Sequence, residues 1–495
     1  MSRNFSKDLL NKTRRNGNRA DTLFKTFKNH FNQQDLNDIA AYSFFSQMNS
    51  AKPPEKFFKP DGICIGELSD GSLLYLPLDH LKRHLSVIGK TRSGKTTLLI
   101  VLFLYLFALA NSTLIIIDRG DLVAQLINQI DGRLEDVILV RIADTEHPVA
   151  INLLQLAHFQ PELVIGEIIR ILNLVASERL SDRMVLLLRR CLLALLHCPD
   201  ATLAEIEPFL FNESFRNQVL AKVPDPELVY FWKERYPKDE KIFRSSAEGI
   251  ITRLEKIIGD PYARRLLCQK QTLIPFNEIV KSGRHYVLLL DLNTEGKVSH
   301  LVGDVIARVF LIIIHSLALS RPFYQSKPIF LFLDEVQTYL EPSTLSEILA
   351  RGAKYGVHLG CVFQFINQLG NFWSAIEGNV GTAFSFTAGA DDAQRLARSF
   401  PGIDSTEFVE LPRFHTLIRV NDDQGTHCFK AKTFLPPSPN GNFQDQIIRI
   451  AREKYARPLY EVEAEYQKRR EYLRLAKVDQ PKGNEGFVES FDSLT

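Results

Sequence analysis

Apolar residues follow two rhythms along this chain. Short, nearly continuous runs, "HLSVIG", "STLIIID", "HYVLLLDL", "KPIFLFLD", "HLGCVFQ" and "GTAFSFTAG", are rich in β-branched and aromatic residues and too short for helices. They predict strands buried on both faces. Between them lie longer helical patterns, "KTTLLIVLFLYLFALA", "LVGDVIARVFLIIIHSLALSR" and "DDAQRLARSF". Strand and helix alternating in this way predict an α/β core built on a mainly parallel sheet. The rhythm changes between about 158 and 275. There "ELVIGEIIRILNLVA", "RMVLLLRRCLLALLH", "TLAEIEPFLF" and "SSAEGIITRLEKIIG" repeat apolar residues at three and four spacing, and strand signals nearly vanish. This predicts an inserted all-α domain. Two further stretches, "GICIGELSDGSLLYLP" and "TLIRVNDDQGTHCFKAKTF", read as hairpins turning at Asp70-Gly71 and at Asp423 to Gly425.

These patterns divide the chain into five parts: a basic, mostly helical arm over 1–60, a first core segment over 61–157, the helical insertion over 158–275, a second core segment over 276–435, and a linker with a helical tail over 436–495. The arm carries Arg3, Lys7, Lys12, Arg14, Arg15, Arg19, Lys25 and Lys28 against few acids. Such a run suits a solvated end or an arm for a polyanion. In the tail, "LPPSPNGN" is a linker by composition, and the mixed charges of the following helix favour a solvated face.

Composition adds limits. At 495 residues, 45% hydrophobic and 24% charged, the chain is long enough for two or more domains. A formal charge of only +2 means that any nucleic-acid surface is local. The six cysteines form no C-x-x-C pair and read as reduced thiols. The polar, basic opening carries no secretory pattern, and "TTLLIVLFLYLFALA" falls short of the ~20 residues that a membrane span needs. A cytoplasmic protein is expected, with membrane contact only through a partner.

The candidate chemistry sits at the ends of the apolar runs. "GKTRSGKT", Gly89 to Thr96, fits G-x-x-x-x-G-K-[ST] and lies between a predicted strand and a predicted helix, the setting that this loop requires. ATP is expected on Gly89, Lys90, Thr91, Arg92, Ser93, Gly94, Lys95 and Thr96, with Thr97 behind them. The glycines let backbone N–H groups point at phosphates, Lys95 places a charge on the β and γ phosphates, and Thr96 offers a hydroxyl to Mg2+. "FLFLDEVQ" brings Asp334 to a strand end as the second Mg2+ residue, and Glu335 beside it to polarise the attacking water. Roughly thirty residues on, "HLGCVFQ" delivers Gln364 to another strand end, placed to sense the γ-phosphate or hold the water. An N-K-x-D base-reading loop, the mark of switch GTPases, is absent from the sequence.

The ordered set "RHLSVIGKTRSGKTTLL", "LIIIDRGDLV", "HPVAINLL", "LFLDEVQTYL", "AKYGVHLGCVFQ" and "NVGTAFSFTAGADDAQRLARSF" resembles the HerA/FtsK superfamily of P-loop ATPases, and within it the type IV secretion coupling proteins of the TraD/TraG kind. The resemblance covers most of 62–436. It implies a RecA-like core, a homohexameric ring and ATP-driven passage of DNA through a central channel, with contacts to the phosphate backbone rather than to bases. It also implies a secretion machine as partner, although coupling proteins typically begin with membrane helices that are not legible here. One position departs from the family pattern: "GAKYG" places Ala353 where an arginine commonly reaches into a neighbour's ATP site. Arg351 and Lys354 flank it as substitutes. Three readings follow: a DNA translocase of conjugation, a motor serving a nuclease partner in DNA processing or phage defence, and an ATP-gated scaffold that moves no DNA.

Overall fold

Eleven strands form one sheet in the computed structural model, which describes residues 53–475 apart from 110, 131, 158–160, 177, 324–326, 340–341 and 438–442. The basic residues expected of the arm, and the chain after 475, lie outside the described residues. The strands are β1 (Ile63–Glu67), β2 (Leu73–Leu76), β3 (Leu85–Ile88), β4 (Thr113–Asp118), β5 (Val137–Arg141), β6 (Val287–Asp291), β7 (Ile329–Asp334), β8 (Val357–Phe363), β9 (Thr382–Ser385), β10 (His415–Asp422) and β11 (Gly425–Thr433). Their order is β2-β1-β11-β10-β9-β3-β8-β7-β4-β6-β5. From β9 to β5 every pairing is parallel, whereas β10, β11, β1 and β2 continue the sheet antiparallel.

The mainly parallel α/β sheet is the architecture expected of a RecA-like P-loop core. Parallel pairing puts the carboxyl ends of β3, β4, β7 and β8 along one edge of the sheet, where ligands of such sheets bind. Register is tight there: Ile88 faces Phe363, and Asp334 faces Val362. Both sequence-predicted hairpins form, as β1–β2 and β10–β11, and both join the same sheet.

Two helices carry much of the core. Lys95–Leu109 has buried residues all round its axis, from Leu98 to Phe107, which is why its sequence shows no polar stripe. His300–Leu319 is long and apolar enough to cross a membrane, yet 72% of its apolar window is buried inside the protein. Its hydrophobicity is accounted for by core packing.

The chain divides into two compact units: one runs to Val149 and resumes over Leu273–Ala456, and the other comprises Ala150–Thr272 and the chain from Arg457. The second is helical, and five of its helices start on side-chain caps. Ser181 accepts from Met184 N, Asn212 from Phe215 N, Asp225 from Glu227 N and Asp260 from Tyr262 N, while Thr202 and Glu205 form a capping box.

The structure departs from the sequence-based expectation at two places. Strand β5 is absent from the sequence-based expectation: "VILVR" is a single apolar run of five residues, too short for its periodicity to decide between strand and helix. The tail is not one solvated helix. It breaks at Pro458 into Gln444–Tyr455 and Leu459–Leu475, one in each unit. In the first, Arg452 grips Asp144 through two bonds of 2.7 and 3.0 Å. In the second, Arg469 pairs with buried Glu205 at 2.7 Å and Arg265 pairs with Glu463 at 2.6 Å. The mixed charges thus serve specific pairs. All six cysteines are unpaired and buried.

Candidate nucleotide site

The loop from Gly89 to Thr96 leaves β3 and enters the Lys95–Leu109 helix. Its curl needs glycine at two positions. Gly89 has φ 158° and Gly94 φ 128°, and a Cβ at either would stand 2.6 Å from Phe386 Cβ or 2.9 Å from the Phe386 ring. The backbone therefore runs directly over Phe386. Two further contacts brace it: Lys90 N donates to Thr387 O at 2.8 Å, and Phe414 N donates to Ser93 O at 2.8 Å. Phe386, Thr387 and Phe414 are functional supports that sequence reasoning missed, since nothing local in "SFTAG" or "PRFHT" marks contact with a loop some 300 residues earlier.

Within the loop, Ser93 is buried, Lys90, Thr91 and Arg92 are exposed, and Lys95, Thr96 and Thr97 are half-buried. Arg92 holds a left-handed φ of 63°. Lys95 folds back on the loop, donating to Gly89 O at 2.5 Å and to Lys90 O at 3.0 Å. Burial lowers its pKa, against the opposing pull of Asp334 and Glu335.

The acids lie at the same sheet edge. Asp334 ends β7, and Glu335 follows with φ 55° and ψ 52°, a left-handed conformation that costs a non-glycine residue roughly 1–3 kcal/mol. Its N–H donates to Val362 O at 2.9 Å, which holds the strained turn against β8. Gln364, one residue beyond β8, joins the two halves of the site: its Nε2 donates to Glu335 Oε1 at 3.2 Å, and its Oε1 accepts from Thr91 Oγ1 at 3.1 Å.

Asp118, at the end of β4, was quoted in the sequence motifs without a role. It is 1% exposed and accepts from Gly120 N at 2.9 Å and Val123 N at 3.1 Å. Burial, then Asp118, then Glu335 push the Asp334 carboxyl up to about 7, with Lys95 opposing. Asp334 and Glu335 therefore share one lysine, with the Asp118 charge close to Asp334. Such a surplus of hard oxygen donors beside a phosphate loop suits a divalent cation held partly by phosphate and water. Among the described residues no three His, Cys, Asp or Glu side chains form a metal cage of their own. By donor chemistry the Thr96 hydroxyl and the Asp334 carboxylate could hold Mg2+.

Arg351 and Lys354 lie elsewhere. Both precede β8, whereas Gln364 follows it, so the seven residues of β8 separate them from the site edge by about 20 Å at the usual strand rise. Arg351 pairs with Glu347 at 3.3 Å on an exposed surface, and Lys354 is exposed. The structure thus gathers the loop, Asp334, Glu335 and Gln364 and leaves the two finger candidates at the opposite edge.

Comparison with known proteins bears on the family and the fold. Residues 63–310, half of the chain, match the family model described as helicase HerA, central domain. The structure resembles plasmid coupling protein TrwB in complex with ADP and Mg2+, with a TM-score of 0.55 at 12% identity over 80% of this chain and 95% of that one. It also resembles an unbound form of the bacterial conjugative coupling protein TrwB (0.53, 12%, 78% and 93%). A third likeness is to VirB4 of Thermoanaerobacter pseudethanolicus (0.52, 16%, 76% and 97%). At these identities the likeness is one of fold. No curated protein matches the sequence.

Proposed function

The chain belongs to the helicase HerA central-domain family, and from that premise we propose that it is a ring-forming motor ATPase that moves DNA through a central channel in conjugative transfer or a related mobilisation. One observation carries this reading: the hydrogen-bonded connection from the phosphate loop through Gln364 to Glu335, assembled at the carboxyl edge of the parallel strands. A nucleotide loop alone serves many purposes. A loop tied to a carboxylate that can take a proton serves hydrolysis.

In this reading the backbone amides of the loop and the start of the Lys95–Leu109 helix receive the phosphates. Lys95 leaves the carbonyls of Gly89 and Lys90 and turns its ammonium to the β and γ phosphates. Thr96 and Asp334 would hold Mg2+, which would supply charge neutralisation to the phosphates. Glu335 accepts the proton of the attacking water, oriented by Gln364. Arg351 and Lys354, on the far edge of the sheet, serve a neighbouring subunit's nucleotide, which is how a homohexamer would employ them. DNA contacts go to the phosphate backbone and are tolerant of sequence and sensitive to salt. The six unpaired thiols support a cytoplasmic setting, with a secretion machine or a nuclease as partner.

The test is steady-state ATP hydrolysis without DNA, with single strands and with duplex, using Glu335→Gln as the blank. Stimulation several-fold by DNA, lost in the variant, is the expected result. A second reading, an ATP-gated assembly scaffold, is favoured by Ala353 at the finger position. Under that reading turnover is indifferent to DNA at low salt while nucleotide still drives oligomerisation.

A further inference from the structure

Thr91 is the third residue of the loop, two after Gly89, and it is exposed. Its hydroxyl reaches out of the loop. It donates to Gln364 Oε1 at 3.1 Å, across 273 residues of sequence, and the same amide donates from Nε2 to Glu335 Oε1 at 3.2 Å. The direction of these bonds follows from chemistry. A carboxylate only accepts, so Gln364 must present its NH2 to Glu335, which leaves its oxygen facing the loop and in need of a donor. Thr91 is that donor. The other constraint on Glu335 is its left-handed backbone, fixed by the bond from its N–H to Val362 O. The carboxylate is therefore aimed by a rigid turn on one side and by an amide on the other, and the far end of that amide is anchored to the phosphate loop by one hydroxyl.

We propose that Thr91 is a positioning residue for hydrolysis: it fixes the orientation of the Gln364 amide and through it the direction of the Glu335 carboxylate, so that the conformation of the phosphate loop sets the aim of the base. Without the hydroxyl the amide oxygen loses its donor and Gln364 is anchored only at Glu335, so that amide and carboxylate are free to swing together away from the loop. The inference rests on the hydrolase reading above. It assigns Thr91 a task other than contact with ATP, and it makes the choice between threonine and valine, which have nearly the same shape, a functional one.

The test compares Thr91→Val, Thr91→Ser, Gln364→Ala and the Thr91→Val/Gln364→Ala double variant with the wild type. Three quantities are read: the affinity for a fluorescent ADP analogue, kcat with KM for ATP, and the melting temperature of the nucleotide-free protein. Thr91→Val is expected to bind the analogue within about twofold of wild type and to lose about tenfold or more in kcat with KM little changed. Thr91→Ser, which keeps the donor, restores turnover. In the Gln364→Ala background the valine change costs nothing further in kcat, and the two changes are non-additive in melting as well.

Additive losses, weakened nucleotide binding at unchanged kcat, or a serine variant no better than valine would each overturn the positioning role. Wild-type turnover no higher than that of Glu335→Gln removes the hydrolase reading itself, and the positioning role with it. Additive losses in an active wild type remove the positioning role alone.

Discussion

In the helical unit, helix starts are met by their own side chains: Ser181, Thr202, Asn212, Asp225 and Asp260 each accept from a first-turn amide. At the carboxyl ends of β3, β4 and β7 the local rules are broken instead. Arg92 and Glu335 sit left-handed, Ser93 Oγ is buried without a hydrogen bond, and Asp334 shares Lys95 with Glu335 while lying close to the buried charge of Asp118. The first region is ordered for stability. The second spends stability on a site that is completed only by a ligand, which is where departures from local consistency are expected.

That contrast can be broken at both ends. The largest effect belongs to Glu335→Gln: hydrolysis falls by about 10²–10⁴ while nucleotide affinity, read by fluorescence titration, stays near wild type. Next comes Arg469→Leu in the helical unit. It leaves the buried carboxylate of Glu205 without its cation and should cost roughly 3–5 kcal/mol in urea unfolding.

Asp334→Asn should do the reverse and stabilise the nucleotide-free protein. The Asp334 carboxyl is pushed up to about 7 from an ordinary 3.8, so the folded state holds a proton that the unfolded chain has lost. Its favourable contribution is complete below pH 3.8 and is lost as pH rises through 7. Above pH 7 the asparagine variant gains on the order of 2–4 kcal/mol over wild type, and the gap closes toward pH 4 in melting curves. A variant no more stable at pH 8 would place the strain elsewhere. Asn212→Ala, which removes one cap, is the smallest change at about 1 kcal/mol, visible in the same melts.

The legible parts of this protein were those written locally. "GKTRSGKT" between a strand and a helix, "FLFLDE" at a strand end and the glutamine after "HLGCVF" each carry their setting within twenty residues, and the structure brings all three to one edge. What escaped was set by distant contacts. Phe386 and Phe414 matter because the glycines of the loop press against them, and Asp118 because β4 lies beside β7. The strand β5 gains its identity from pairing with β6 rather than from its own five residues. The break in the tail was written in the sequence, since Pro458 disfavours helix at the residue before it, but the charge pattern around it was read as one continuous solvated face.

The distribution of the thiols has a practical consequence. Cys64, Cys361 and Cys428 belong to the sheet-bearing unit, and Cys191, Cys198 and Cys268 to the helical one. A buried thiol reacts with an alkylating reagent only when its surroundings open. Each unit thus contains three built-in clocks, and peptide-resolved labelling rates, taken with and without nucleotide, would time the breathing of each unit separately in the unmodified protein.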